Sequence, residues 1–289
     1  MSPVKKGILY EVFAYLFWGI MPVFWHLLDF ASPIRILGAR ITFALFFTAF
    51  VLFVKKNRTW FMLLFSREKR VVTIFCGLTV SLNWGLYIWA VNNGHTLDAS
   101  LGYYINPLVA VLLALIILRE KLSVLQWIAF GFAVFGVSLV TFFSGVVPWV
   151  ALALAITFGI YGLFKKKNKA GSLEALGAET LAVLPLGLVF LVFPPEGLAL
   201  INSPLQWLLL ILSGVVTALP LYAFAKGAKL LPFSAVGFLQ FINPTILFVL
   251  SVFAFGEEFS PKMLWAFGCI WIAVGLYCFS LVKMNQKKA

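Results

Sequence analysis

The sequence predicts an all-α polytopic membrane protein whose ten transmembrane helices form two inverted five-helix repeats. Three features predict this fold: the composition, a series of apolar runs and a repeated motif. Hydrophobic residues make up 63% of the 289-residue chain, charged residues make up 11%, and the mean hydropathy is +1.03. A water-soluble domain needs more polar surface than this composition supplies. The chain is therefore expected to lie in a bilayer.

Apolar runs of about 20 residues, each long enough to cross about 30 Å of hydrocarbon as a helix, recur along the chain. The connections between them are short, so no soluble nucleotide-binding domain is expected and an ATP-driven pump is disfavoured. The first run contains Trp18 and Pro22, which are atypical of a cleavable signal peptide, and it is expected to remain in the protein. The predicted spans are 7–28, 33–54, 71–94, 98–118, 124–143, 147–164, 172–193, 204–225, 233–255 and 261–282.

The same short motif occurs twice, and each residue of the second copy lies 137 positions after its counterpart. A gapless alignment of 105–137 with 242–274 contains ten identities. The motif consists of Ile105, Asn106, Pro107 and Glu120, repeated as Ile242, Asn243, Pro244 and Glu257. We divide the chain into a first repeat at 1–144 and a second at 145–289. Because each repeat holds an odd number of spans, the second enters the membrane from the opposite face, as in secondary transporters whose site lies between the halves.

The basic residues indicate the orientation of the spans. With the amino terminus in the cytoplasm, nineteen of the 22 Lys and Arg residues, Lys165 among them, fall in cytoplasmic segments, whereas only Arg35 and Lys262 fall in outer connections. Cytoplasmic loops carry such an excess of positive charge. Both termini are therefore predicted to be cytoplasmic. The net charge of +12 then reflects topology, and no nucleic-acid partner is expected.

The third span carries a resemblance to a known family. Residues 83–95 read NWGLYIWAVNNGH and residues 99–103 read ASLGY. With these motifs the chain resembles, over its full length, the drug/metabolite transporter superfamily, whose members have two EamA-type repeats, and it is most similar to the RarD type, named for a chloramphenicol-sensitivity phenotype. Asn93 stands where that type often has a histidine. The resemblance implies a bacterial inner-membrane carrier for a small metabolite.

Polar groups on the third span are candidates for a substrate cavity. An amide at Asn83, deep in an apolar span, is costly in hydrocarbon unless it finds partners or water. Trp84 and Tyr87 lie on adjacent faces of the same helix. We expect all three to line a cavity. The alternative is that Asn83 bridges two helices as a structural hydrogen bond.

The paired Asn-Pro steps are a second set of candidates. Proline lacks a backbone donor, so Pro107 and Pro244 are expected to interrupt their helices and free carbonyl groups beside Asn106 and Asn243. The inverted topology places one step nearer each face, which suits alternating access. The alternative is a simple helix kink. Polar groups within about one turn are expected to orient a substrate: Tyr103, Tyr104 and Gln240.

Two charges inside the spans are candidates for gating or coupling, since intramembrane ionisable residues are usually functional. Arg40 and Glu179 occupy equivalent repeat positions, 139 residues apart. Arg40 would attract an anionic group, and Glu179 would bind a cationic group or a proton. Alternatively, Arg40 bonds helix-end carbonyls and Glu179 bonds nearby hydroxyls. Glu120 and Glu257 end their helices and are expected to act as caps or hinges.

Four aromatic residues on spans with polar neighbours are expected to offer a flat apolar surface or a cation-π face to a substrate. The alternative for each is packing against lipid or against another helix. These residues are Trp18, Trp84, Trp89 and Tyr161.

The sequence contains no motif that indicates an enzyme. The histidines, His26 and His95, have no metal-binding spacing, and the cysteines, Cys76, Cys269 and Cys278, all lie within predicted spans. No nucleophile elbow or phosphate-binding glycine loop is present. We therefore expect no metal, no cofactor and no enzymatic activity.

We interpret the chain as a secondary transporter, an exporter or exchanger, that moves a small amphipathic metabolite or drug-like compound across the bacterial inner membrane by alternating access. Uphill transport would draw on a proton gradient or on a counter-substrate, and the carrier would be a monomer or a homodimer. The alternative is a non-transporting membrane scaffold or lipid-interacting bundle that keeps the fold without a working cavity.

Overall fold

The computed structural model describes residues 1–145, 148–194, 203–253 and 261–286, which are mostly helical and contain no strand. Glu257 lies outside these ranges. A short 3-10 helix, Trp60–Leu64, lies between the second and third helices. The α-helices are α1 Pro3–His26, α2 Pro33–Val54, α3 Arg67–Asn92, α4 Thr96–Ile116, α5 Val124–Ser144, α6 Trp149–Lys167, α7 Ser172–Ala182, α8 Leu184–Val192, α9 Pro204–Leu230, α10 Phe233–Gln240, α11 Ile242–Phe253 and α12 Pro261–Gln286.

Nine helical stretches in the described part of the chain are long and apolar enough to cross a bilayer, and the bent pair of α7 and α8 supplies a tenth. These two helices meet at an angle of 55°. The break falls at Val183, because Pro185 has no N–H to donate to the carbonyl of Leu181. The predicted ten-helix membrane fold is confirmed, although the bend in the seventh span was not predicted.

The two Asn-Pro steps affect their helices differently. In the second repeat, α10 ends at Gln240 and α11 begins at Ile242, with Phe241 in a turn between them. Pro244 cannot donate to the carbonyl of Gln240, which explains the break there. In the first repeat, α4 continues through Pro107. The expected interruption therefore occurs at only one of the two steps.

The outer surface of α1 shows why the bundle suits a bilayer. Leu9, Phe13, Leu16 and Ile20 form one stripe along the helix, and between 43% and 58% of each residue is exposed. A continuous apolar stripe of this kind is unfavourable in water but matches hydrocarbon.

Helices of the two predicted repeats interleave. α5 packs on α12, α4 on α6 and α10, α2 on α8 and α9, and α1 on α9 and α11. Each of these pairs joins a helix of 1–144 to a helix of 145–289. The core therefore forms mainly between the halves, while the boundary at residue 144 stays a prediction.

Glycines allow the closest of these helix contacts. A Cβ added at Gly214 in α9 would overlap the backbone of Phe43 and Ala44 in α2. A Cβ at Gly136 in α5 would lie 2.8 Å from the carbonyl oxygen of Ala266 in α12. In a bilayer, where helices gain little by excluding water, this close backbone approach is a main source of packing energy.

Two carboxylates bind the amino-terminal ends of neighbouring helices. Asp98 in α4 accepts hydrogen bonds from the backbone of Val150 and of the next residue, at 3.1 and 3.0 Å, where α6 begins. Glu120 accepts from the N–H groups of Phe233 and Ser234, at 2.6 and 3.0 Å, where α10 begins. Helix amino termini favour negative charge. The predicted capping role of Glu120 is thus present, but the capped helix belongs to the other repeat.

We predict that Gly214→Leu prevents stable folding, because the facing backbone of α2 cannot move aside. Overpacking usually costs about 1–3 kcal/mol, and a clash with backbone should exceed that range. The measurement is the melting temperature and the monodispersity of the detergent-solubilised protein. Gly131→Leu is the matched control, because nothing lies within 4 Å of an added Cβ there. Equal behaviour of the two variants would show that α2 and α9 are not in close contact.

Candidate functional site

Arg40 lies at the centre of a site between the two halves. It is seven residues into α2, about 10 Å along the helix. Its guanidinium carbon lies 4.8 Å from the ring centroid of Trp25 and 4.4 Å from that of Trp84, so the group is in cation-π contact with both rings. Its Nε donates to Oγ1 of Thr217 at 3.0 Å. Helices α1, α2, α3 and α9 thus meet at this residue.

The surroundings of Arg40 are aromatic and incompletely buried. The phenols of Tyr87 and Tyr103 interact electrostatically with Arg40, and the centroids of their two rings lie 6.2 Å apart. Tyr87 is 37% exposed, and Arg40, Trp84 and Tyr103 are half-buried. Within the described residues, no carboxylate pairs with Arg40, and no acceptor binds its terminal guanidinium nitrogens. The alternative weighed for Arg40, bonds to helix-end carbonyls, does not occur among the described residues, where its polar partner is the Thr217 hydroxyl.

The two Asn-Pro steps carry a pair of unsatisfied amides. Asn106 and Asn243 are buried, and the Oδ1 atom of each has no donor in the described part of the chain. A buried acceptor without a partner costs about 1–3 kcal/mol, so such atoms mark places where water or a ligand binds. The helix before the second step packs on the helix that carries the first: a Cβ at Gly237 in α10 would lie 2.8 Å from the carbonyl oxygen of Pro107 in α4. The other residues predicted beside these steps, Gln240 and Pro244, are also buried.

A fully buried ion pair lies nearer the face at which α1 begins, called the amino-terminal face below. Lys165 Nζ is 2.9 Å from each carboxylate oxygen of Glu179, and the two side chains are 1% and 2% exposed. Glu179 was predicted to bind a cation, but its partner was not identified. Lys165 was counted among the cytoplasmic loop charges, and this was wrong: it lies inside the bundle, because α6 extends past it to Lys167.

Aromatic rings pack beside this ion pair. The Tyr161 ring centroid lies 5.5 Å from Nζ of Lys165, and the ring stacks on Phe224 with centroids 6.3 Å apart. Tyr161 is completely buried. Its role in lining the substrate cavity stays a prediction, and in the structure its ring packs beside the ion pair.

Two further lysines hold the amino-terminal face together. Lys166 donates from α6 to the carbonyl oxygens of Ala228 and Leu231 at the end of α9. Lys229 donates from α9 to the carbonyl oxygen of Ala170 before α7. These bonds tie helix ends to one another, and the helix dipole favours the Lys166 cation at the carboxyl end of α9.

Asn83 occupies the position of a structural bridge. Its Nδ2 donates to the carbonyl oxygen of Leu154 at 2.9 Å and to Oγ1 of Thr157 at 2.8 Å, both in α6. This is the alternative weighed for Asn83 from the sequence. The side chain remains half-buried, but its amide nitrogen is already used.

Two of the predicted tryptophans lie away from Arg40. Trp18 packs in an aromatic cluster with Phe158 and Phe224, with ring centroids 5.7 Å away in each case. Trp89 was expected deep in its span but lies close to the end of α3, where it is 42% exposed and stacks on His95 at 5.4 Å. The span was predicted to continue to residue 94, so its end was placed too late.

Several site residues were missed from the sequence. Thr217 carries no local signal, since a lone threonine in an apolar span is common. Trp25 and Lys165 had a usable signal: they are 140 positions apart, the same offset that relates Trp18 to Phe158. That register predicts that Trp25 faces Arg40 as Lys165 faces Glu179.

Comparisons with known proteins identify the family. The model of the EamA-like transporter family matches residues 5–142 and again 147–281. The chain is 43% identical to an uncharacterized transporter, YojE, of Bacillus subtilis (strain 168), covering 99% of this chain and 97% of the relative. It is 37% identical to protein RarD of Streptomyces exfoliatus (98% and 91% covered) and 33% identical to protein RarD of Escherichia coli (98% and 97% covered). The chain belongs to the EamA-like transporter family.

A solved structure supports the fold. A crystal structure of a protein 18% identical in sequence superposes with a TM-score of 0.76, covering 95% of this chain and 98% of the other. At this identity the likeness shows the fold alone. The family model and the relatives confirm the resemblance found in the third span, and the protein is a multi-pass membrane transporter.

We predict that breaking the Lys165–Glu179 pair destabilises the protein, whereas replacing both residues does not. Lys165→Met leaves a buried carboxylate and Glu179→Met leaves a buried ammonium, each costing about 3–5 kcal/mol. The double variant removes both charges at similar volume and should recover most of that loss. Thermal unfolding of the four proteins in detergent gives the coupling energy. Additive effects of the two substitutions would contradict the ion pair.

Proposed function

We propose that this EamA-like transporter is a secondary carrier that moves a small amphipathic metabolite or drug-like compound across the bacterial inner membrane by alternating access. The observation that carries the proposal is a difference in burial between the two ends of the helical bundle. The residues around Arg40 keep exposed surface, whereas Lys165, Glu179 and Tyr161 are completely enclosed. A carrier at rest has one open and one closed end around a central site.

The basic residues support an orientation for this carrier. Removing Lys165 from the count leaves eighteen basic residues on the amino-terminal face and two on the other. This excess still favours cytoplasmic termini. In that orientation the Arg40 end opens away from the cytoplasm and the Lys165–Glu179 end closes the cytoplasmic side.

Opening toward the cytoplasm would require the closed end to separate. The Lys165–Glu179 pair joins α6 to α7, and the bonds of Lys166 and Lys229 join α6 to α9 and α9 to the segment before α7. When these part, Glu179 becomes a carboxylate that can accept a proton or a cationic counter-substrate. This gives Glu179 the coupling role, and Pro107 and Pro244 the role of hinges beside the site.

The substrate would be held by groups from both repeats. Trp84, Tyr87 and Tyr103 provide half-buried aromatic surface beside Arg40, and Asn106 and Asn243 provide acceptors without partners. Aromatic surface with a few convergent polar groups is typical of small-molecule sites. Apolar rings beside polar acceptors suit an amphipathic compound.

We predict that Glu179→Gln changes the side from which the site is accessible. In a variant lacking Cys76, Cys269 and Cys278, a membrane-impermeant thiol reagent should label Tyr103→Cys mainly from the face opposite the amino terminus. Adding Glu179→Gln weakens the closed end and should increase labelling from the amino-terminal face roughly tenfold or more. Right-side-out and inside-out vesicles separate the two faces.

Phe142→Cys is the control for this experiment, because Phe142 is 79% exposed on the outside of α5 and its labelling should not respond to Glu179→Gln. Labelling of Tyr103→Cys from one face only, in both backgrounds, would contradict alternating access and favour the membrane scaffold.

We also predict that the two asparagines respond differently to alanine. Asn83→Ala loses two bonds to α6 and should lower stability by about 0.6–2 kcal/mol. Asn243→Ala removes an acceptor without a partner and should leave the melting temperature nearly unchanged while reducing uptake. The ligand for uptake comes from a thermal-shift screen of amino acids, sugar phosphates, nucleosides and antibiotics, since a ligand at 100 times its Kd stabilises by about 2.7 kcal/mol. Normal uptake by Asn243→Ala would exclude it from the site.

A further inference from the structure

We propose that the transported molecule is a monoanion whose carboxylate binds Arg40, with an apolar or aromatic body lying against Trp84 and Tyr87. This inference rests on the proposed function and specifies the substrate class for the same site.

The first argument is charge balance. Arg40 is a cation inside an apolar bundle, and no carboxylate in the described part of the chain pairs with it. The faces of Trp25 and Trp84 offset its loss of water only in part, because a ring quadrupole is weaker than a full negative charge. An anionic ligand supplies the missing charge.

The second argument comes from the duplication. Arg40 and Glu179 are equivalent positions, 139 residues apart, and Trp25 and Lys165 are equivalent positions, 140 residues apart. In the second repeat, the residue facing the buried charge carries the opposite charge, at 2.9 Å. In the first repeat, the residue facing the Arg40 charge is Trp25, at 4.8 Å. The protein thus neutralises Glu179, one of the two equivalent charges within the spans, and leaves Arg40 for a ligand.

The third argument is the geometry of the guanidinium group. Two aromatic faces and the Nε bond to Thr217 fix the plane of the Arg40 side chain. Its terminal nitrogens have no acceptor among the described residues and remain able to donate. Two parallel N–H groups match the two oxygens of a carboxylate. The side chain is therefore oriented before the ligand arrives.

The fourth argument selects the charge of the ligand. Arg40 carries a single positive charge, and the ionisable groups that interact with it electrostatically are the phenols of Tyr87 and Tyr103. One negative charge completes neutrality, whereas a phosphate monoester carries about 1.5 to 2 negative charges at neutral pH. A monocarboxylate is therefore favoured over a phosphate ester.

The test compares phenylacetate with phenylacetamide, which share a ring and differ in charge. Isothermal titration and thermal shift of the full-length protein in detergent should show binding of phenylacetate and much weaker binding of the amide. Arg40→Gln should weaken phenylacetate binding by roughly 10- to 100-fold, the loss expected for a charge-assisted hydrogen bond. Arg40→Lys should also bind more weakly, because an ammonium cannot form the paired bonds.

Arg58→Gln is the matched control. Arg58 also lies over an aromatic ring, that of Phe53 at 5.5 Å, but it is exposed at the other end of α2. Its replacement should leave phenylacetate binding unchanged. Equal binding of acid and amide by the unmodified protein, or unchanged phenylacetate binding in Arg40→Gln, would overturn the inference.

If neither compound binds, the melting temperature of the ligand-free protein tests whether Arg40 is kept for an anionic ligand. An unneutralised charge kept for a ligand reduces stability, so Arg40→Gln should melt at the same temperature as the unmodified protein or higher. Lys165→Met should melt lower. A loss of stability in Arg40→Gln as large as that in Lys165→Met would make Arg40 structural and overturn the inference.

These results separate the inference from the proposed function. If the protein binds phenylacetate selectively but Tyr103→Cys is labelled from one face only, alternating access is contradicted and the anion site is kept. If labelling changes sides but the protein does not prefer the acid to the amide, the anion site is contradicted and the carrier function is kept.

Discussion

The cost of burying charge in an apolar bundle is the constraint on which the rest of this structure depends. Few charges lie inside the spans, and each must be paired, solvated or left for a ligand. Glu179 is paired with Lys165, and Glu120 is bonded to the start of α10. Arg40 has two aromatic faces and one hydroxyl but no counter-charge among the described residues. Arg40 and its repeat equivalent, Glu179, differ in this respect.

The helices of the two halves interleave around both Arg40 and the Lys165–Glu179 pair. Because α2 packs on α8 and α9, and α6 packs on α3 and α4, both candidate sites lie on surfaces shared by the repeats. The broken helices α7–α8 and α10–α11 lie in the second repeat, whereas α4 continues through its proline. The duplication is thus symmetric in topology but not in the details that matter for a substrate.

Asn83 and Lys165 show where reasoning from the sequence stops. Both were recognisable as polar groups near or within an apolar span. Whether Asn83 faces a cavity or bonds α6 depends on which helix lies beside α3, and periodicity does not contain that information. Lys165 follows an apolar run and precedes two more lysines, so it resembles a loop residue. Only the tertiary structure, in which Lys165 pairs with Glu179 of α7, shows that its ammonium group lies inside.

The sequence by itself determined the membrane class, the helix count, the duplication with its inverted topology, and the family. These follow from composition, from the length of apolar runs and from residues matched between the two repeats. All three are local sequence patterns or internal sequence similarities, and none requires knowledge of helix packing. It also identified Arg40, Glu179 and the Asn-Pro steps as unusual. The tertiary structure alone decided their partners: Thr217 and two tryptophans for Arg40, and Lys165 for Glu179. The physical reason is that a buried charge is stabilised by groups within a few ångströms in space, and these groups come from helices far apart in the chain.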